Sequence, residues 1–377
     1  MTDEAEGSPA PSHPPFARLA PLVAATLEPV SAIPVPPPPA VQSTRRLIGA
    51  SFDLLTQSTA EMRAASFYIG GVVVATIAPL ALATFAIEVA APTAGELDFD
   101  AFFRSSPASG WFSLTAIIAG LGLIVANVES QNLAVAILGG RYAGRPVGAR
   151  AALARSRMSF WRAIIAAVIV TVPVSIVTQI VDGIVVDLSN GSNAWSFVVA
   201  IVVGVLIGAP LAYLLTGIVL GDVDPFEATR RSFRVFRARK WAAAIVALFE
   251  ALATIIVLIG IGTGLEIVLG VFDVLGLDAG SGVLGLVVIS AGIVVGTFAL
   301  GTLVYTALAI SIAPQVVMFV GLTRATNGLD HVRAHGDHDP AIRRKGRRAF
   351  HWVTIPLWIG LATGLIGLVG VLTSLDR

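Results

Sequence analysis

The stretch SFYIGGVVVATIAPLALATFAIEVA, residues 66–90, decides the fold class of this chain. It is longer than the ~20 apolar residues that an α-helix needs to cross the hydrocarbon core of a bilayer. A second such stretch, WVTIPLWIGLATGLIGLVGVL, occupies residues 352–372. The mean hydropathy is +0.84 and only 13% of the 377 residues are charged, about half the ~25% of soluble domains. The sequence therefore predicts an all-α, polytopic helical membrane protein.

Seven apolar blocks predict about seven transmembrane helices. They run at about 66–90, 111–139, 163–186, 195–220, 241–271, 283–320 and 352–373. The block 283–320 is longer than one crossing of a ~30 Å core requires. Dividing it would place the arginines of residues 343–348 on the opposite side from the other basic loops. We therefore expect one long helix, bent near Pro314.

The loops between the blocks alternate in charge. The second loop carries six arginines from Arg141 to Arg162 and no acid, whereas the first has three acids against Arg104. Positively charged short loops stay in the cytoplasm. The pattern predicts a cytoplasmic N-terminus, seven crossings and a C-terminus outside.

Four parts of the chain differ in composition. Residues 1–42 are proline-dense and lack an uninterrupted apolar signal-peptide core, so a disordered cytoplasmic tail is expected. Residues 43–330 are predicted to form a six-helix membrane domain, 331–351 a basic cytoplasmic linker, and 352–377 a C-terminal transmembrane helix. The chain lacks cysteine and has two lysines among its 25 basic residues. Its arginine, alanine, valine and glycine richness is typical of a GC-rich bacterial genome, and a bacterial cytoplasmic (inner) membrane is expected.

The basic segment DPFEATRRSFRVFRARKW, residues 224–241, belongs to a repeat. Aligning GARAALARSRMSFW (148–161) with its first fourteen residues places Ser156 on Ser232 and Arg155 on Arg231. A fainter copy, RRLIGASFDLL (45–55), places Ser51 at the same position. Each copy precedes an outward crossing. The predicted unit is a basic amphipathic helix followed by a two-helix hairpin, present three times before the final span.

This segment is predicted to lie in the headgroup plane of the membrane. With a period of 3.6 residues, its phenylalanines share one face and its arginines lie beside them. Asp224 and Pro225 predict an N-cap with proline at the first helical position. The candidate contacts to anionic lipid headgroups are Arg155, Arg157, Arg230, Arg231, Arg234 and Arg237. Nucleic acid is not expected as a partner; the bilayer is, with a membrane-protein partner or homo-oligomer as a further option.

Three polar residues within or near the spans form a candidate intramembrane site: Glu250, Gln179 and Glu129. Glu250 follows Trp241 by nine residues, which places it roughly 14 Å into the membrane. It either bonds a backbone carbonyl or Gln179 between helices, or couples transport to a proton or cation. Glu129 either lies at the interface or pairs with an arginine of a basic helix.

Other motifs give weaker signals. His331 and His335 have a spacing that can hold a metal on a helix, but the segment HVRAHGDHD is better explained as a solvated linker, so no metal or cofactor is expected. No catalytic motif was found. Gly360, Gly364 and Gly367 form a small-residue stripe suited to packing within the chain or to a dimer seam.

Three landmarks resemble a known bacterial membrane family. They are SQNLAVAILGGRYAGRPVGARAALARSRMSFWRAI (130–164), DVDPFEATRRSFRVFRARKWAAAI (222–245) and YTALAISIAPQVVMFVGLTRATNGLD (305–330). Together, residues 45–330 resemble the glycerophosphoryl diester phosphodiesterase membrane-domain family. Relatives often end the third unit with an aromatic-Asp-Leu-Arg-x-Arg-x-x-Gly-Leu-Asp pattern, of which this chain keeps Gly328, Leu329 and Asp330 but loses the first Asp and an Arg.

The resemblance implies a membrane domain without a catalytic partner. Enzymes of the family fuse a soluble phosphodiesterase barrel to this domain, and a barrel takes about 250 residues, more than any soluble stretch here. The predicted role is a non-enzymatic scaffold or accessory domain that interacts with lipids or membrane partners. The alternatives are a small-solute or ion transporter that uses Glu250, and a membrane enzyme of phospholipid metabolism.

Overall fold

The regular structure of the described chain is entirely helical, which confirms the predicted fold class. The computed structural model describes residues 41, 43–90, 108–188, 193–252, 255, 259, 282–327 and 340–375. The helices are α1 (Thr44–Gln57), α2 (Thr59–Ala90), α3 (Ala108–Tyr142), α4 (Ala149–Leu188), α5 (Asn193–Leu211), α6 (Leu214–Gly221), α7 (Pro225–Ala238), α8 (240–252), α9 (Gly282–Asn327) and α10 (Pro340–Leu375).

Six helical stretches within these residues are long and apolar enough to cross a membrane. They lie in α2, α3, α4, the combined α5–α6 segment, α9 and α10, and correspond to six of the seven predicted blocks. The seventh, 241–271, begins as helix α8, and its remainder lies almost entirely outside the described residues.

Contacts between the spans fix their relative directions. Along α10, Gly360 faces Thr76 and Gly364 faces Pro79, so α10 runs parallel to α2. Gly367 and Gly370 of α10 instead meet Thr115 and Trp111 in reverse order, so α10 is antiparallel to α3. The first and last spans therefore point the same way, as an odd number of crossings requires.

Glycines bring the central helices close together. A Cβ atom on Gly301 of α9 would lie 2.9 Å from Cα of Gly70 on α2. On α10, a Cβ on Gly364 would lie 2.8 Å from Cγ of Pro79. Helices in lipid associate through such close van der Waals packing. The glycine stripe of the last span thus packs within the chain, as one of its two predicted roles required.

Two boundary predictions can be checked. The block 283–320 forms one continuous helix, α9, with Pro314 inside it, which confirms the single-helix prediction. Of the predicted linker 331–351, the residues from Pro340 onward belong to α10, which runs without interruption into the last span, and residues 331–339 lie outside the described residues. The tail 1–42, apart from Val41, and the histidines His331, His335 and His338 lie outside the described residues.

Helices form at the three repeat positions. α1 ends at Gln57 and its C-cap Ser58 directly precedes α2, and α7 is separated from α8 by Arg239 alone. The side chain of Asp224 accepts a hydrogen bond from the backbone N–H of Glu227 at 2.7 Å, so the predicted N-cap of α7 forms. The aligned serines Ser51, Ser156 and Ser232 are all buried. The repeat therefore has the same inward-facing position in each copy.

Candidate functional site

The ion pairs that join different segments among the described residues lie at one end of the bundle, which we call the basic end. There α2 begins, α3 ends, α4 begins and the α6–α7 loop lies, because ion pairs join these segments. Two features of this end are candidates for function. One is a buried ionic cluster between helices, and the other is the exposed face of α7.

Glu129 on α3 is the centre of the buried cluster. Its side chain is fully buried, and its Oε2 accepts a hydrogen bond from the Tyr68 hydroxyl of α2 at 2.8 Å. Its Oε1 lies 2.6 Å from Nε of Arg157 on α4, as an ion pair without the alignment of a hydrogen bond. A charge buried in this way persists only when it is paired. Of its two predicted roles, the pairing with a basic-helix arginine is the one that forms.

A second ion pair closes the end of α3. Arg141, at the last turn of α3, donates to Glu61 in the first turn of α2 at 2.5 Å. Glu61 precedes Tyr68 by two helical turns, so the pair lies about 10 Å nearer the end of α2 than the Tyr68–Glu129 contact. α2 and α3 are thus joined at two levels.

Asp222 connects α4 to the loop before α7. It caps the C-terminus of α6 in the left-handed conformation, with φ of 53°, the only positive φ of a non-glycine residue in the described part of the chain. Nη2 of Arg162 donates to its Oδ1 at 2.8 Å, and Nη2 of Arg155 lies 3.6 Å from the same oxygen. Nε of Arg155 also donates to the carbonyl of Val219 at 2.7 Å. Two arginines of α4 therefore hold the end of α6.

Ser232 of α7 stabilises a break in the fourth span. Between α5 and α6 the helix is interrupted at residues 212–213, just after Pro210. The Ser232 hydroxyl donates to the carbonyl of Pro210 at 2.6 Å and accepts from the backbone N–H of Tyr213 at 3.2 Å. Breaks in membrane helices are tolerated where a serine re-satisfies the freed backbone groups. α7 is thereby fixed to the bundle along its inner face.

The opposite face of α7 presents aromatic rings and arginines to the surroundings. Phe226 is 74% exposed and Phe233 is 41% exposed. Arg230, Arg234 and Arg237 are also exposed. At about 100° per residue, Arg230 and Arg237 lie within roughly 60° of the two rings. Continuing beyond α7, exposed Arg239, Lys240 and Trp241 extend this surface, which we call the α7 face.

The predicted headgroup contacts divide into two groups. Arg230, Arg234 and Arg237 are exposed, and Arg231 is partly exposed while paired with Glu227 at 3.1 Å. The prediction is wrong for Arg155, whose side chain is 6% exposed and bonded within the protein. Arg157 is engaged with buried Glu129 instead of facing the membrane surface. The α4 copy of the basic helix is thus buried in the bundle.

The predicted grouping of Glu250 with Gln179 does not form. Gln179 is exposed on α4, and Glu250 accepts a hydrogen bond from Nε2 of Gln315 on α9 at 2.9 Å. The bond joins α8 to α9, which fits the structural role predicted for Glu250. A crevice beside the neighbouring Phe249 is lined by apolar side chains and by Ser51.

Four residues of the site were not singled out from the sequence: Tyr68, Asp222, Ser232 as a cap of the span break, and Gln315. Tyr68 and Gln315 are polar residues inside apolar blocks, the same signal that identified Glu250. Asp222 is an acid between a span and a basic helix. Only the pairing of distant segments explains the roles of these residues.

Within the described residues, no group of three or more histidine, aspartate or glutamate side chains is placed to hold a metal ion. Comparison of the chain with known protein families, with characterised proteins and with solved structures gives no match.

Proposed function

We propose that this protein is a non-enzymatic membrane scaffold or accessory domain that binds anionic lipid headgroups through the α7 face. Its basic end would lie at the cytoplasmic side of a bacterial cell membrane, with the N-terminus inside and the C-terminus outside. The observation that carries the proposal is the exposed combination of Phe226 and Phe233 with Arg230, Arg234 and Arg237. Rings at the acyl boundary and arginines at the headgroups are the pattern of an interfacial helix.

The energetics favour an anionic surface over a neutral one. Each basic residue close to anionic lipid contributes about 1 kcal/mol. The three exposed arginines of α7 therefore favour an anionic surface by about 3 kcal/mol, more than a hundredfold in the equilibrium constant. Arg155 and Arg157 add nothing to this sum because their charges are compensated within the bundle.

The interior supports a scaffold rather than a catalyst. Glu129, Glu61 and Asp222 each pair with an arginine of another helix. Such pairs tie helices together and leave the carboxylates engaged. The resemblance of residues 45–330 to the phosphodiesterase-associated membrane domain fits this role and stays a prediction.

Hydrogen exchange of residues 225–238 tests the proposal. The protein is placed in nanodiscs of phosphatidylcholine, alone or with phosphatidylglycerol. Exchange should be slower in the anionic discs, and the double variant Arg230→Gln/Arg237→Gln should remove the difference. The control Arg46→Gln/Arg63→Gln, which removes two exposed arginines elsewhere, should retain it. Equal exchange of the unmodified protein in both discs would refute the proposal.

A further inference from the structure

A crevice lies between the first amphipathic helix and two membrane helices. It is a narrow groove, open in part to the surroundings. Its apolar lining comes from α1, α8 and α9: Ile48, Phe52, Leu55, Phe249, Ile310 and Pro314. Ser51 also lines it, with its hydroxyl directed to the carbonyl of Leu47 in its own helix at 2.8 Å. The space is therefore apolar in character.

The charges of α1 are arranged unevenly around this crevice. Arg45 and Phe52 are seven residues apart, so they lie within about 20° of each other on the helix surface. Both are exposed, and Phe52 forms one wall of the crevice. Arg46 is turned about 100° further round, toward the side that also carries Asp53. Arg45 thus lies beside the crevice, whereas Arg46 lies near an acid on the face of α1 that is turned away from it.

We propose that this crevice binds one acyl chain of an anionic phospholipid whose phosphate is contacted by Arg45. α1 is an amphipathic helix immediately before a span, where a lipid has its headgroup at the level of the helix and its chains beside the spans. An apolar slot accepts the chain, and the guanidinium of Arg45 matches the phosphate in charge and hydrogen-bonding geometry. This site is separate from the α7 face and does not rest on it.

Binding of a lipid at a specific site saturates as the lipid concentration rises, whereas contact with the surrounding bulk lipid does not. The full-length protein is reconstituted in nanodiscs of phosphatidylcholine containing phosphatidylglycerol with a diazirine on one acyl chain. After irradiation, adducts are mapped by mass spectrometry. Adducts on residues 48–55 should saturate and be displaced by unlabelled phosphatidylglycerol. Adducts on Val172 and Ile176, exposed apolar residues of α4, should rise in proportion to the probe and serve as the reference for bulk lipid.

Two matched arginine variants and one variant that fills the crevice complete the test. Arg45→Gln should raise the competitor concentration needed for displacement about fivefold, and Arg46→Gln should leave it unchanged. Ile48→Trp should reduce the adducts on α1 without changing those on α4. Adducts on α1 that follow those on α4 without saturation, or equal effects of the two arginine variants, would overturn the inference. Arg230→Gln/Arg237→Gln should not affect the α1 adducts, so failure of the α7 proposal is recognised separately.

Discussion

Glu129→Gln isolates the charge at the centre of the basic end. Because Glu129 is fully buried and Arg157 is 23% exposed, the substitution leaves a guanidinium without its partner but able to turn toward the surface. Breaking a fully buried pair costs about 3–5 kcal/mol, and this partial exposure reduces the expected loss to about 2–3 kcal/mol. The glutamine oxygen can still accept the hydrogen bond of Tyr68, so the loss reports the charge.

The reciprocal variant and the double variant determine whether the pair acts as a unit. Arg157→Gln leaves a buried carboxylate with only the Tyr68 hydroxyl and should cost about 3–5 kcal/mol. The double variant Glu129→Gln/Arg157→Gln removes both charges and should cost less than about 3 kcal/mol, well below the sum of the single variants.

The measurement is the free energy of unfolding from reversible SDS titration in mixed micelles, followed by circular dichroism. Arg63→Gln, at an exposed position outside the α7 face, is the control and should change stability by less than about 0.5 kcal/mol. Single-variant losses that add to the double-variant loss within about 0.5 kcal/mol would refute the ion-pair reasoning.

Two further substitutions test the packing of the bundle. Gly301→Ala places a Cβ 2.9 Å from Cα of Gly70 and should cost about 1–3 kcal/mol of unfolding free energy. The control Gly296→Ala lies on the same helix with open space around it and should be neutral or stabilising. Equal effects of the two substitutions on the unfolding free energy would contradict the close approach of α2 and α9. Ser232→Ala removes the cap on Pro210 and Tyr213 and should cost about 1–3 kcal/mol and accelerate hydrogen exchange at Tyr213. Ser51→Ala, whose hydroxyl bonds only its own helix, is the control, and an unchanged Tyr213 exchange rate in Ser232→Ala would show that the serine does not stabilise the break.

The sequence predicted the helices because their signals are local. Apolar length gave the spans, and the N-cap at Asp224 with the 3.6-residue pattern gave α7, so these features appear where they were expected. The continuity of α9 followed from the placement of basic loops on one side. Each of these inferences needs only neighbouring residues or the membrane as a reference.

The partners of the charged residues could not be predicted in the same way. Arg155 and Arg157 are two positions apart, and about 200° of helix rotation separates them, so they meet different acids on different helices. Both have the sequence character of surface arginines, but α4 is buried at this end and α7 is not. Glu250 accepts a hydrogen bond from Gln315 and not from Gln179, because the polar side chain next to it comes from α9 and not from α4. These choices depend on tertiary packing.

The depth of α7 distinguishes a helix that lies in the membrane interface from one that lies in water. Because the chain has no cysteine, spin labels can be placed singly at Phe233→Cys and Arg234→Cys and compared in liposomes that contain phosphatidylglycerol. The apolar side of an interfacial helix lies about 5–10 Å into the headgroup–acyl boundary. We expect the label at 233 to be accessible to oxygen and shielded from a water-soluble nickel complex, with the reverse at 234. Equal exposure of both labels to the nickel complex would place α7 in water and contradict its interfacial position.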